Sequence, residues 1–214
     1  MFTATAIQVC EQLTNIHKNG VLMTDLSLQC QCGKVAGSVS KVKRSCCNRI
    51  VCYCKDCQKF AHYLSSETTT LDAYGGTEVY QLAPSSIHIE HGIEQLRCAR
   101  LTSKGIYRWY SACCNTPIAN TVGLKVPFVA IYHNFIVSEP NAEEVLGPVI
   151  GMLYPEQALT PIPSEQQVTT SSFMLKAKVL TKLFLWKLTG QGKPSPFYQA
   201  SGKAIVKPIV LEKQ

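Results

Sequence analysis

A chain of 214 residues, 46% hydrophobic and 16% charged, is long enough for one domain that buries about 70% of its unfolded surface, so its core needs no cross-links. That excludes the short disulfide-stapled class and leaves the 11 cysteines to be explained by other chemistry. The formal net charge is +7, without a dense basic run or a nucleic-acid motif. Seven basic residues lie between Lys34 and Lys59 and only Asp56 opposes them. Compensation of thiolate charge ranks first as their purpose, an anionic substrate second and nucleic acid third.

Residues 1–23 read as an N-terminal appendage, with Val9, Leu13 and Ile16 at helical spacing and Asn19-Gly20 as a stop. No secretory pattern and no apolar run of about 20 residues is visible, which predicts a reducing compartment, the cytoplasm or the nucleus. Residues 24–140 have the rhythm of an antiparallel β domain. Strands are expected at 26–28, 35–42, 49–53, 78–82, 87–90, 95–101, 106–110 and 128–137, with Lys104-Gly105 as a hairpin turn. Residues 141–214 read as a Pro-rich connection and a C-terminal helical extension packed on that domain. One helical turn is expected over 141–146. A longer helix, capped by Ser171 or Ser172, is expected to run to Leu188 and stop at Gly190.

On that helix Phe173, Ala177, Leu180, Phe184 and Leu188 share one face, which is expected to dock on the sheet in preference to a membrane surface. Leu175, Val179, Leu183, Leu185 and Trp186 widen the apolar surface and leave a homodimer contact open. The fold class is therefore mostly β (α+β), with antiparallel sheets and an amphipathic C-terminal helix.

The chemistry lies in three cysteine clusters. Alternate side chains of a strand share a face, so Cys30 and Cys32 can meet at one ion, and so can Cys52 and Cys54. A C-x-x-C turn adds Cys57 to the second pair. Cys52, Cys54 and Cys57 then form a three-thiolate set with a fourth tetrahedral position open, as in catalytic sites. Cys30 and Cys32 are half a site, and Cys113-Cys114 is the obvious source of the rest. All-thiolate sets suit zinc, and the spacings do not match common iron–sulfur patterns, so two zinc ions are expected. Cys98 reads equally as a buried strand residue or an extra ligand. Cys10 reads as a filler and Cys46-Cys47 as incidental. His17, His88, His91 and His133 lack ligand partners. His62 reads first as an ordinary half-buried histidine and second as an acid–base group.

At these clusters the sequence resembles the glutathione-dependent formaldehyde-activating enzyme (GFA) and centromere protein V family. The motifs are Cys30-Gln31-Cys32-Gly33, the C-x-C-x-x-C of Cys52 to Cys57, and Tyr110-Ser111-Ala112-Cys113-Cys114-Asn115-Thr116-Pro117. The resemblance covers roughly residues 26–137. It implies a zinc-built β-tent fold, a structural zinc from the first and third clusters, and a catalytic zinc in the middle one. It further implies a carbon–sulfur lyase acting on a thiol adduct such as S-hydroxymethylglutathione. On the enzyme reading, Lys55 and Lys59 beside the middle cluster attract the glutathione carboxylates. The third cluster departs from the family pattern. Ser111 stands in place of the first cysteine of C-x-x-C, Asn115 in place of glycine, and Cys113 is extra. Cys113 or Cys98 would then be the fourth structural ligand, or Cys98 would instead close the middle site and remove its open position. The competing reading is a non-catalytic zinc module that binds a protein or nucleic-acid partner.

Overall fold

The computed structural model describes residues 24–137, 145–168 and 170–211. The expected N-terminal helix, and most of the turn expected over 141–146, lie outside the described residues. Eleven strands form two sheets among the described residues. The small sheet has the order β1 (Thr24–Gln29), β2 (Ala36–Val42), β5 (Ile87–His91), all antiparallel. The large sheet contains β3 (Asn48–Cys52), β4 (Thr77–Leu82), β6 (Leu96–Arg100), β7 (Tyr107–Ser111), β8 (Pro117–Thr121), β9 (Val129–Tyr132), β10 (Val149–Leu153) and β11 (Ile209–Val210). Its order is β10-β3-β4-β9-β8-β7-β6-β11. Three α-helices lie wholly within the described residues: α1 (Lys55–Tyr63), α2 (Glu67–Thr70) and α3 (Ser172–Leu188). It is a mostly β, α+β structure.

Strand alternation sorts the interior into layers. Tyr80, Leu82, Cys98, Trp109, Val129 and Ile131 leave the large sheet on the side facing the small sheet, where they meet Leu26, Leu28, Val35 and Val39. Their neighbours Val79, Ala99, Tyr110, Ala130 and Tyr132 leave on the opposite side, against Phe60 and Leu64 from α1 and Leu175 from α3. The order is therefore small sheet, large sheet, helices.

Both edges of the large sheet are closed by parallel strands from the C-terminal third, β10 on β3 and β11 on β6. Parallel neighbours need a long connection, which these distant segments have. Neither strand was expected. β10 sits inside the Pro-rich connection, bracketed by Pro148 and Pro155, where an edge strand tolerates a missing donor. β8 was also unexpected: all of its residues are buried, so it shows no polar–apolar alternation.

Helix α3 begins as expected, with the Ser171 hydroxyl accepting from the Met174 N–H at 3.3 Å, and ends at Gly190, whose φ is +73°. Its docked face is not the expected one. Leu175 and Trp186 are buried and Val179 and Leu183 half-buried, while Phe173, Ala177, Leu180, Phe184 and Leu188 face solvent. The docked face meets β10 at close range, where a Cβ on Gly151 would come within 2.8 Å of the Leu175 side chain. Glycine leaves room for that leucine against the strand.

Candidate metal centres

The first centre is built by two tight turns at one end of the sheet sandwich. Cys30 directly follows β1, and the next turn carries Cys32 and Gly33, whose φ of +77° glycine adopts without strain. The Val35 N–H points at Cys30 Sγ at 3.2 Å, and the Gly33 N–H bonds to the Cys30 carbonyl at 2.9 Å. Such N–H···S contacts stabilise a thiolate. The second turn joins β7 to β8. The Asn115 N–H bonds to the Ser111 carbonyl at 2.9 Å, and Asn115 takes φ +54°. That turn brings the adjacent Cys113 and Cys114 to the same place, which an extended segment would forbid.

The four sulfurs of Cys30, Cys32, Cys113 and Cys114 all lie within 4.8 Å of one another. Cys30 Sγ is 3.7 Å from both Cys32 Sγ and Cys113 Sγ, and Cys113 and Cys114 are 3.9 Å apart. Thiolates at about 2.3 Å from a tetrahedral ion would be separated by about 3.8 Å. The residues present therefore fit a four-thiolate metal. Burial opposes ionisation of Cys114, but the hydroxyls of Ser111 at 3.3 Å and Thr116 at 3.1 Å bring its thiol down to about 6. Each hydroxyl accepts from a backbone N–H, that of Thr116 for Ser111 and that of Gln31 for Thr116. Burial, and hydrogen-bond sharing with Cys32, push Cys113 the other way, to about 12.

The second centre sits where β3 runs into α1, on the helix side of the large sheet. Cys52 ends β3 on the same face as Ile50. Cys54 is the N-cap of α1, and its carbonyl accepts the N–H groups of Cys57 at 3.0 Å and Gln58 at 3.3 Å. The first turn of the helix thus swings Cys57 back beside Cys54, with their sulfurs 3.3 Å apart. The three sulfurs lie within 4.8 Å of one another, and no fourth His, Cys, Asp or Glu ligand atom joins them among the described residues. Cys54 is held well below the usual thiol range by its contacts with Cys52 and Cys57, and the same sharing, followed by burial, pushes Cys52 up. Ionising all three needs added positive charge, which a bound cation would supply.

The chain matches the model of a family of unknown function (DUF6151) over residues 23–209. It belongs to that family. No curated protein matches the chain.

In this DUF6151 member the second centre has partners that its motif does not contain. Arg108, only 2% exposed, reaches from β7 to put Nη1 3.8 Å from Cys57 Sγ and Nη2 3.9 Å from the Asp56 carboxylate. Its guanidinium lies over the Phe60 ring at 5.5 Å. Gln58 donates to the carbonyls of Tyr53 at 2.9 Å and Gln157 at 3.0 Å, and the Gln157 side chain accepts from the Lys55 N–H at 2.9 Å. Arginine on a strand and glutamine after C-x-x-C carry no signal alone. The hint for Arg108 is a lone charge between the aromatic residues Tyr107 and Trp109 of a buried strand.

Two side chains once open as site members lie elsewhere. Cys98 is 1% exposed and packs on the small-sheet side, while its neighbour Ala99 faces α1. Strand alternation thus puts Cys98 on the opposite face of the large sheet from Cys57, and its sulfur joins neither group. His62 is exposed on α1 and pairs with Glu67. Cys47 is buried and Cys46 half-buried, and neither belongs to a group. Lys55 and Lys59, one helical turn apart, are exposed on one face of α1.

Proposed function

We propose that this chain is a two-zinc protein of the GFA type, in which Cys30, Cys32, Cys113 and Cys114 hold a structural ion and Cys52, Cys54 and Cys57 hold a reactive one. All-sulfur sets favour zinc over harder cations. The observation that carries the reading is the contrast between a closed four-sulfur group and a three-sulfur group that no further ligand completes among the described residues. The activity proposed is that of a carbon–sulfur lyase on the thiol adduct of a small aldehyde, such as S-hydroxymethylglutathione. Zinc bound there supplies a Lewis-acidic position for a sulfur anion.

The chain's own residues supply the rest. Cys52, Cys54 and Cys57 fix the ion at the start of α1, whose N-terminal dipole favours negative charge. Arg108 offsets thiolate charge from the buried side. Lys55 and Lys59 offer ammonium groups to the substrate carboxylates. In the reaction, the carbon–sulfur bond of R–S–CH2–OH breaks and its electron pair stays on sulfur. The hydroxyl proton passes to water as the C=O bond forms. The thiolate regains a proton on release, giving thiol and formaldehyde.

Titration of zinc-loaded protein with glutathione tests the reading. Weak binding that falls as salt rises is expected, together with its loss in Cys54→Ala. Adduct cleavage should be lost in the same variant. Binding that persists unchanged in Cys54→Ala would move the site elsewhere. Absence of binding by any small thiol would leave the non-catalytic zinc module as the correct reading.

A further inference from the structure

Helix α3 presents to solvent the side that a globular protein ordinarily hides. Phe173 is 81% exposed, Leu180 62%, Phe184 63% and Leu188 67%, with Met174 and Leu185 beside them. At 100° per residue these side chains form one continuous stripe, bordered by Lys176 and Lys187 on one flank and by Lys178 on the other. Lys182, further round, is already bonded to the Ser45 carbonyl at 2.6 Å. No carboxylate lies on the helix.

The charge distribution of the chain points to the same place. Residues 166–211 contain seven lysines and no acidic residue. This segment therefore carries a local charge of +7, beside the +6 of residues 34–59. Beside the last turn of α3 opens a cleft of about 780 Å3, lined by Lys125, Lys187 and Lys193 with Val122 and Val126, and by no carboxylate. Cations around an apolar stripe, and around an apolar-walled cleft next to it, match the two layers of an anionic lipid surface. The four lysines and 17-residue length suit a helix lying in the interface, and no helix among the described residues is long and apolar enough to cross a membrane.

We propose that the exposed face of α3 docks on an anionic membrane surface, with Phe173, Leu180, Phe184 and Leu188 in the acyl boundary and Lys176, Lys178 and Lys187 at the headgroups. A second copy is the less favoured occupant. A twofold interface sets a patch against itself, and here the lysine rows would meet lysine rows with no carboxylate between them.

Flotation of the zinc-loaded full chain with vesicles tests the proposal. The vesicles are phosphatidylcholine alone, or equimolar phosphatidylcholine and phosphatidylserine. Binding is expected to the mixed vesicles, to weaken with salt, and to be far weaker on phosphatidylcholine alone. Leu180→Asp combined with Phe184→Asp should reduce it at least tenfold. Each of Lys176→Gln, Lys178→Gln and Lys187→Gln should reduce it about fivefold. All these positions are exposed, so the melting temperature and zinc content should not change. No binding to either vesicle overturns the proposal, and equal binding to both overturns its electrostatic half. A concentration-dependent dimer in light scattering, abolished by the double aspartate variant, would assign the face to a second copy instead.

Discussion

Arg108 Nη1 lies 3.8 Å from the sulfur of Cys57, joining β7 to the first turn of α1 beneath the middle cluster. The guanidinium is buried, so its charge has sulfur and the Asp56 carboxylate as partners rather than water. Arg108→Gln removes the cation and keeps hydrogen-bonding capacity. The expected result is a 10- to 100-fold weaker hold on one of the two metals, of the order seen when outer partners of ligands are removed. Stability should fall by about 3 kcal/mol, because thiolate charge is left buried and uncompensated. Chelator competition and thermal melting measure the two effects. Arg108→Lys should recover part of the affinity, and an unchanged affinity in both variants would reduce Arg108 to a packing residue over Phe60.

Cys32 gives the sharpest test of the four-sulfur centre, because it is exposed on a turn. An exposed side chain without partners tolerates serine within about 0.5 kcal/mol. As a ligand that helps fasten the small sheet to the β7–β8 turn, Cys32→Ser should instead cause gross destabilisation or insolubility. Cys57→Ser should be milder despite deeper burial, since its group is local in sequence. Equal small effects on thermal unfolding would refute the assignment. Elemental analysis of wild-type protein should return two zinc ions per chain.

Cys47 and Cys98 belong to neither metal group, and burial pushes both thiols from 9.0 up to about 12. A folded-state value raised above the unfolded one contributes stability that is fully present below pH 9.0 and is lost as pH rises towards about 12. Each thiol should add a slope of about 1.4 kcal/mol per pH unit in that window. Cys47→Ala with Cys98→Ala should lower stability at neutral pH and flatten the alkaline fall, as followed by denaturant unfolding at successive pH values. Cys98→Ala should leave both metals bound.

Asn115 holds φ +54° at the centre of the turn that gathers Cys113 and Cys114. Asn115→Gly should be neutral or slightly stabilising, because glycine takes that conformation freely. Asn115→Val should cost about 1–2 kcal/mol, since a β-branched residue is a genuine outlier there. It should also weaken the four-sulfur centre and leave the middle cluster loaded, which metal analysis of the variant would show.

Much of this architecture was legible in the residue order. Leu26 and Leu28 alternate with polar neighbours and form β1, and β6 pairs with β7 as expected, although the turn between them is closed from Thr102 to Gly105 with Ser103-Lys104 at its centre. What escaped was decided by contacts between distant segments. β8 is buried on both faces and β10 is framed by prolines, so neither shows a period of two. Both sides of α3 are apolar, and contacts such as the seat of Leu175 on Gly151 and the burial of Trp186 mark the one that docks. The Cys113 side chain reaches its cluster because Asn115 takes a left-handed conformation that asparagine permits but does not announce. Arg108 gains its role from a strand that meets α1 only in the folded chain.

The middle cluster leans on a segment almost a hundred residues away. The Tyr53 N–H bonds to the Leu153 carbonyl at 2.9 Å, and Gln157 supplies acceptors to Lys55 and Gln58. During synthesis the cysteines from Cys52 to Cys57 emerge long before these partners exist. Until residue 157 has left the ribosome, the start of α1 lacks two acceptors and β3 lacks its outer neighbour. The nascent chain can gather sulfurs around an ion early, but the pocket around them is finished only late in translation. A ribosome-stalled chain ending before residue 149 should therefore surrender metal from this cluster to a chelator faster than one extending past residue 157.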